Sequence, residues 1–326
     1  MLKTSSKHMT QKITDIPTVT SHRIDEMDFL KCIMIALMIC FHLVYISATY
    51  PYAKQVVYTF HMPVFLIMSG YLMSMSKEPK QFLTPILWNA VPYLIMDGGY
   101  TVLASMLPIN EHIDHLTPAV FAEKLFLHPM GPYWYLHTLI LCGLTCYGVF
   151  RIGRLSLLSR SILIGLLFAL FAHIGIVSLP MAFYFLAGLI IRQSSLSFLQ
   201  VFRPSWWAIP ALVALCAVPA NLNPGAIGGV LIVYLVISVC LAVYPFITGK
   251  LRNGMLLIGR NTLPILLFSP IFTFLCKPLV PVLSFDPTAL LFLVASLAIC
   301  LSGSLAIAWL MSRRKWTNIF HLRQPK

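Results

Sequence analysis

From Phe29 to Met311 the chain is a succession of apolar stretches separated by short polar segments rich in Lys and Arg. An α-helix needs about 20 mostly apolar residues to cross the hydrocarbon core of a bilayer. On that criterion spans are expected near residues 29–49, 54–75, 82–106, 132–150, 161–178, 181–192, 205–219, 226–247, 255–276 and 288–311. The sixth and seventh are short, and Pro204, Pro210 and Pro219 crowd the seventh. Proline is tolerated within a span only where neighbours satisfy the freed carbonyls. Composition excludes a soluble alternative: 59% of the 326 residues are hydrophobic and 10% charged, against roughly 45–50% and 25% in ordinary soluble domains.

The distribution of cations orients these spans. Nineteen of the 23 Lys and Arg fall on the side that holds both termini, three (Lys54, Lys124 and Lys277) on the other, and Lys31 at the start of the first span. The positive-inside rule makes the first side cytoplasmic. Residues 1–27 are polar and too long for the charged start of a cleaved signal peptide, so a cytoplasmic tail running into an uncleaved span is expected. The expected protein is all-α and polytopic, with about ten transmembrane helices and both termini cytoplasmic. It divides into a tail at 1–27, a transmembrane domain at 28–311 and a second tail at 312–326, seated in the cell (cytoplasmic or inner) membrane. The formal charge of +13 comes from the short inner runs and not from one basic face, so membrane lipids are implied as partners and nucleic acid is not.

No phosphate-binding loop, dinucleotide fingerprint or nucleophile elbow occurs. All eight Cys fall in expected spans, where a free thiol acts as a small apolar group, and no ligand spacing requires a metal. Ionisable residues within the spans therefore carry the functional signal, because charge there is costly. Asp28 and Lys31 are three residues apart and able to pair on a helix surface. Lys31 and His42, eleven residues apart, point the same way about 16 Å apart along the axis. A cation near the inner mouth suits an anionic donor, and a deep imidazole suits proton transfer, its unperturbed pKa being near 6.5. Snorkelling to the interface accounts for Lys31 equally well; for His42 the alternative is a helix-packing hydrogen bond, and the cost of an imidazole in lipid favours the functional reading.

Other polar residues are less sharply defined. His61, His137 and His173 fall near the depth of His42 by rise per residue, and interhelical hydrogen bonds suffice for the last two. Asp97, in the third span, pairs with a cation or orients a histidine. The outer loop 107–131, with Glu111, Asp114, Glu123, His112, His115 and His128, fits a lid, an acceptor-binding element or a solvated connector. On spacing and composition alone, an enzyme and a transporter or flippase of a lipid-linked sugar are close to even.

The segment Arg23-Ile-Asp-Glu-Met-Asp28-Phe-Leu-Lys31, followed after ten residues by His42, resembles the opening signature of membrane acyltransferase family 3, which includes fucose O-acetylase-like and polysaccharide O-acetyltransferases. Phe60-His-Met-Pro-Val-Phe-Leu-Ile-Met-Ser-Gly-Tyr-Leu72 is similar to that family's second-span segment and Pro132-Tyr-Trp134-Tyr-Leu to its fourth-span start. Phe183-Tyr-Phe-Leu-Ala-Gly188 resembles its short sixth span, and Ile258-Gly-Arg260-Asn-Thr262-Leu the opening of its ninth or tenth. The resemblance implies ten spans, acyl-CoA (acetyl-CoA foremost) as co-substrate with no permanently bound cofactor or metal, and a hydroxyl of a carbohydrate, cell-surface glycan or glycolipid as acceptor. It implies His42 as catalytic base, with Asp28 the second candidate for the chemistry. Lys31 stands where the family usually has arginine; it keeps the charge without the planar fork that suits phosphate. Lys31 and Arg260 are expected to hold the acyl donor, and His61, Ser69, Trp134, Asp97 and Asn261 to line the cavity. Ser269 occupies a position where many relatives carry histidine.

Overall fold

The structure, a computed structural model, describes residues 23–106 and 111–313, so the expected tails at 1–27 and 312–326 lie almost wholly outside the described residues. Among these residues there are fifteen α-helices and no strand. They are α1 (Asp25–His42), α2 (Val44–Thr49), α3 (Pro51–Leu72), α4 (Pro79–Met106), α5 (Pro118–Phe126), α6 (Trp134–Arg151), α7 (Leu157–His173) and α8 (Leu179–Gln193), then α9 (Phe198–Val201), α10 (Ala208–Cys216), α11 (Ile227–Val243), α12 (Gly249–Arg260), α13 (Thr262–Leu275), α14 (Leu279–Val282) and α15 (Leu290–Arg313).

Leu87, Leu158, Leu166, Ile227 and Val294 are among many large apolar side chains that face outward. So much exposed hydrocarbon suits lipid and not water. Among the described residues two helical stretches, Ile227–Phe246 and Leu290–Arg313, are long and apolar enough to cross a bilayer unaided, and α12 with α13 qualifies only as a bent pair. Helix α1 fails that test because Asp25, Glu26, Asp28 and Lys31 fall within its 18 residues. The chain is an all-helical membrane protein whose interior is polar at chosen points.

Three expected spans take a different form. The first, 29–49, is broken at Leu43, whose extended backbone (ψ 108°) ends α1 and lets α2 start afresh. The seventh, 205–219, holds only the nine residues of α10 and a tight turn at Pro219–Asn221, about 14 Å of helix, bounded by prolines that favour helix ends. The ninth, 255–276, is split at Asn261 into α12 and α13, which meet at 85°. Lys250, Arg252 and Asn253 make the start of α12 too polar for a lipid-facing span.

Helix α1 is the hub, packing on α3, α11, α12, α13 and α15, and Leu30, Met34, Ile35 and Ile39 are fully buried in those contacts. At its start Gly259 lets the α12 backbone touch the carbonyl of Asp28; any Cβ there would overlap that oxygen. Glycine plays the same part between α3 and α8. A Cβ on Gly70 would overlap the carbonyl of Phe185, and one on Gly188 the carbonyl of Ile67. Close backbone approach through small residues is how helices associate where lipid removes the hydrophobic drive.

Candidate active site

At the N-terminal end of α1 the buried Asp28 carboxylate gathers three cations: Arg23 Nε at 2.5 Å, Lys31 Nζ at 3.3 Å and Arg260 Nε at 3.5 Å. Arg260 also reaches Asp25 at 3.2 Å. The first and the last of the recognised sequence motifs thus close on one another, α1 against α12. Asp28 is 2% exposed at its side chain, so removing its charge leaves three cations without their shared partner. Breaking a buried pair costs about 3–5 kcal/mol. Because Arg23 is half-exposed and rehydrates, Asp28→Asn is expected at the lower end, read as a lowered melting temperature of the detergent-solubilised protein; an unchanged temperature would mean the cluster carries no stability.

Lys31 also lines an apolar cavity of about 340 Å³ between α1, α3, α4, α6 and α13, walled by Ile35, Met38, Met62, Phe65, Leu139 and Leu266 among others. Its polar members include Lys31, Lys77, Asn89, Ser69 and Tyr135, and the Ser69 and Tyr135 hydroxyls bond to each other at 2.7 Å. Met38, Met62 and Leu266 belong equally to a second, smaller cavity of about 210 Å³, whose other walls include His42, Tyr58, His61 and Trp134. That cavity in turn shares Met38, His42, Tyr58, Pro132 and Trp134 with a chamber of about 980 Å³. The polar residues of the chamber include Tyr45, Lys54, Tyr100, Glu111, Ser269 and Lys277. Lys31 and His42 therefore belong to different cavities of one series, with three apolar side chains as the partition.

The tautomer of His42 follows from its surroundings. Its Nδ1 lies 2.7 Å from the Met38 carbonyl, and a carbonyl only accepts, so Nδ1 carries the proton and Nε2 presents a lone pair. His61 is fixed alike, Nδ1–H donating to Val57 O at 2.8 Å. Tyr58 stands between them, its ring 6.1 Å from that of His42 and 5.1 Å from that of His61. Because Met38 contributes both the partition and the carbonyl that holds His42, the partition and the imidazole orientation are set by one turn of α1.

His42, His61, Ser69, Trp134 and Lys31 all face this series of cavities. Four expected residues do not. Asp28 is fourteen residues from His42 on a straight helix, about 21 Å by rise, so it joins the ion cluster and does not touch the imidazole. Arg260 spends its guanidinium on Asp25 and Asp28 and is not part of the Lys31 cavity wall. Asn261 turns back along α12, donating from Nδ2 to Leu257 O at 2.7 Å. Asp97 lines none of these cavities; it accepts from Met130 N–H at 2.9 Å and so pins the loop leading to Pro132 and Trp134. His137 bonds to Phe126 O at 3.0 Å and His173 is exposed, both away from the cavities.

Reasoning from sequence missed Lys77, Tyr58, Lys54, Lys277 and the place of Glu111. Lys54, Tyr58 and His61 follow one another at helical spacing, so that signal was present. Lys277 gave none, because the bend before α13 brings it to the chamber. The loop 107–131 contributes Glu111, whose carboxylate accepts from Gly131 N–H at 3.0 Å. Among the described residues no group of three or more His, Cys, Asp and Glu is arranged to hold a metal ion.

An all-helical membrane bundle whose core strings together a cation-edged apolar cavity, an apolar partition and an imidazole-bearing chamber has the form of a membrane group-transfer enzyme. A family model described as an acyltransferase domain matches residues 24–310, and the chain belongs to acyltransferase family 3. Comparison with curated proteins and with solved structures yields no match. The membership favours the enzyme over the transporter: this is a membrane acyltransferase.

Proposed function

We propose that this protein is an O-acyltransferase that moves an acyl group, acetyl foremost, from acyl-CoA to a hydroxyl of a sugar, cell-surface glycan or glycolipid. In this reading the chain makes about ten passages of the cytoplasmic or inner membrane with both termini inside, the Lys31 cavity opens inward, and the His42 chamber faces out. The observation that carries it is the partition of Met38, Met62 and Leu266, which the Lys31 cavity shares with the small middle cavity that His42 also lines. Donor and acceptor then meet there from opposite sides without a common aqueous path.

The phosphates of CoA pair with Lys31 and Lys77 at the mouth, and the Asp28 cluster holds Lys31 in place. The slender thioester arm runs through the apolar cavity and brings its carbonyl to the partition. His42 Nε2 accepts the proton of the acceptor hydroxyl as that oxygen attacks the thioester carbon. The new C–O bond forms, the C–S bond breaks, and the proton passes from the imidazole to the departing CoA thiolate. Acyl-CoA is a co-substrate here and nothing needs to stay bound between turnovers.

Release of CoA thiol from acetyl-CoA by the purified protein, assayed with a panel of sugars and glycans, tests this. Acceptor-dependent release is expected; no release with any acceptor, together with no acetyl-CoA binding by calorimetry, overturns the reading. Lys31→Gln is expected to raise KM for acetyl-CoA about tenfold and to change kcat less, since a hydrogen bond to a charged group is worth about 1.5–3 kcal/mol. An unchanged KM would take Lys31 out of the donor site.

A further inference from the structure

The side that the cation count assigns as outer has three cations, Lys54, Lys124 and Lys277, and two of them, Lys54 and Lys277, wall the His42 chamber. Among the described residues neither has a carboxylate within ion-pairing distance. Each instead leans on an aromatic ring, Lys54 Nζ at 5.4 Å from the centre of Tyr58 and Lys277 Nζ at 4.7 Å from that of Phe274. A ring face steadies an ammonium without neutralising it. The acid of the chamber, Glu111, is already engaged by the Gly131 amide. One ring separates Lys54 from the imidazole, for Tyr58 also flanks His42.

The chamber also continues sideways. A neighbouring cavity of about 550 Å³ shares Ser47, Lys54 and Tyr58 with it, so Lys54 stands at the junction of two spaces. A single sugar ring would fill neither. We propose that the acceptor is an anionic oligosaccharide, whose carboxylate or phosphate is bound by Lys54 and Lys277 while a hydroxyl close to that charge is presented to His42. The assignment of acylation to this ligand rests on the acyl-transfer reading; its binding does not. Amphipathic rings such as Tyr45 and Trp134 give the sugar faces a surface to lie on, and the two lysines select for charge.

The test is calorimetric binding to the full-length protein in detergent, without acyl donor. The ligands are three oligosaccharides of equal length, one neutral, one bearing a uronate and one bearing a phosphate. At low ionic strength at least one acidic ligand is expected to bind about tenfold or more tightly than the neutral one, with the margin shrinking as salt screens the charges. Lys54→Gln and Lys277→Gln should each weaken the acidic ligand about tenfold and the neutral one little, the scale of one charge-assisted contact, and Lys54→Arg should retain the preference. The two acidic ligands separate carboxylate from phosphate as the charge recognised. Equal affinity for all three, or equal losses for neutral and acidic ligands in the Gln variants, would overturn the proposal. A charge preference without acceptor-dependent CoA release would leave the anion site standing and count against acyl transfer. CoA release with no charge preference would do the reverse.

Discussion

Replacing His42 by alanine is expected to lower acceptor-dependent release of CoA from acetyl-CoA by about 10²–10⁴-fold, the range that a positioned general base contributes. The protein should still fold, because His42 is the last residue of α1, is only partly buried, and gives up a single hydrogen bond to Met38. His42→Gln sharpens the test, keeping much of the volume and a polar end while removing the basic nitrogen. His61 is the internal comparison. It is oriented by the same kind of bond, yet it is 4% exposed and faces only the small middle cavity, not the acceptor chamber. His61→Gln is therefore expected to cost about tenfold or less, through disturbance of Tyr58. If His61→Gln carried the large loss and His42→Gln the small one, the two imidazoles would exchange roles. If both variants stayed within tenfold of the parent, the base would lie elsewhere and the proposed proton transfer would fail.

The comparison of His42 with Asp28 shows what was legible in the sequence and what was not. Helical periodicity is local, so the stripe that joins Lys31 to His42 could be read from spacing, and α1 preserves it over eighteen residues. The destination of a side chain is not local. Asp28 and Arg260 are 232 positions apart, and their pairing exists only because Gly259 lets α12 lie against α1. Hydropathy detects apolar length but not direction, so 255–276 passed as one span although Asn261 turns the chain by 85°. That turn is what carries Ser269 and Lys277 to the His42 chamber. Lys54 is legible in the sequence only as one cation of the topology count, because its proximity to Tyr58 and His42 depends on how α3 sits against α1.

Gly188→Leu is expected to abolish accumulation of folded protein, for a reason visible in backbone geometry alone. At Gly188 a Cβ would overlap the carbonyl of Ile67, and at Gly70 one would overlap the carbonyl of Phe185. The clashing atoms are main chain on both helices, so no rotamer relieves them; α3 and α8 must move apart. Overpacking usually costs about 1–3 kcal/mol where side chains adjust, and here they cannot, so even Gly188→Ala should exceed that range and lower the melting temperature by several degrees. The displacement also has a functional reading. Helix α3 carries Tyr58 toward the chamber, His61 toward the small middle cavity and Met62, Phe65 and Ser69 toward the Lys31 cavity, so pushing it off α8 shifts Met62 of the partition relative to Met38 on α1. Gly188→Ala protein that survives solubilisation should therefore lose catalytic rate as well as stability, whereas a surface change that lowers stability equally, such as one on the lipid-facing side of α15, should not. Because the two glycines serve one contact, Gly70→Ala combined with Gly188→Ala should cost less than the sum of the single losses. A Gly188→Ala protein with the parent's melting temperature and turnover would mean that the two helices do not approach this closely, and the partition would then need another support.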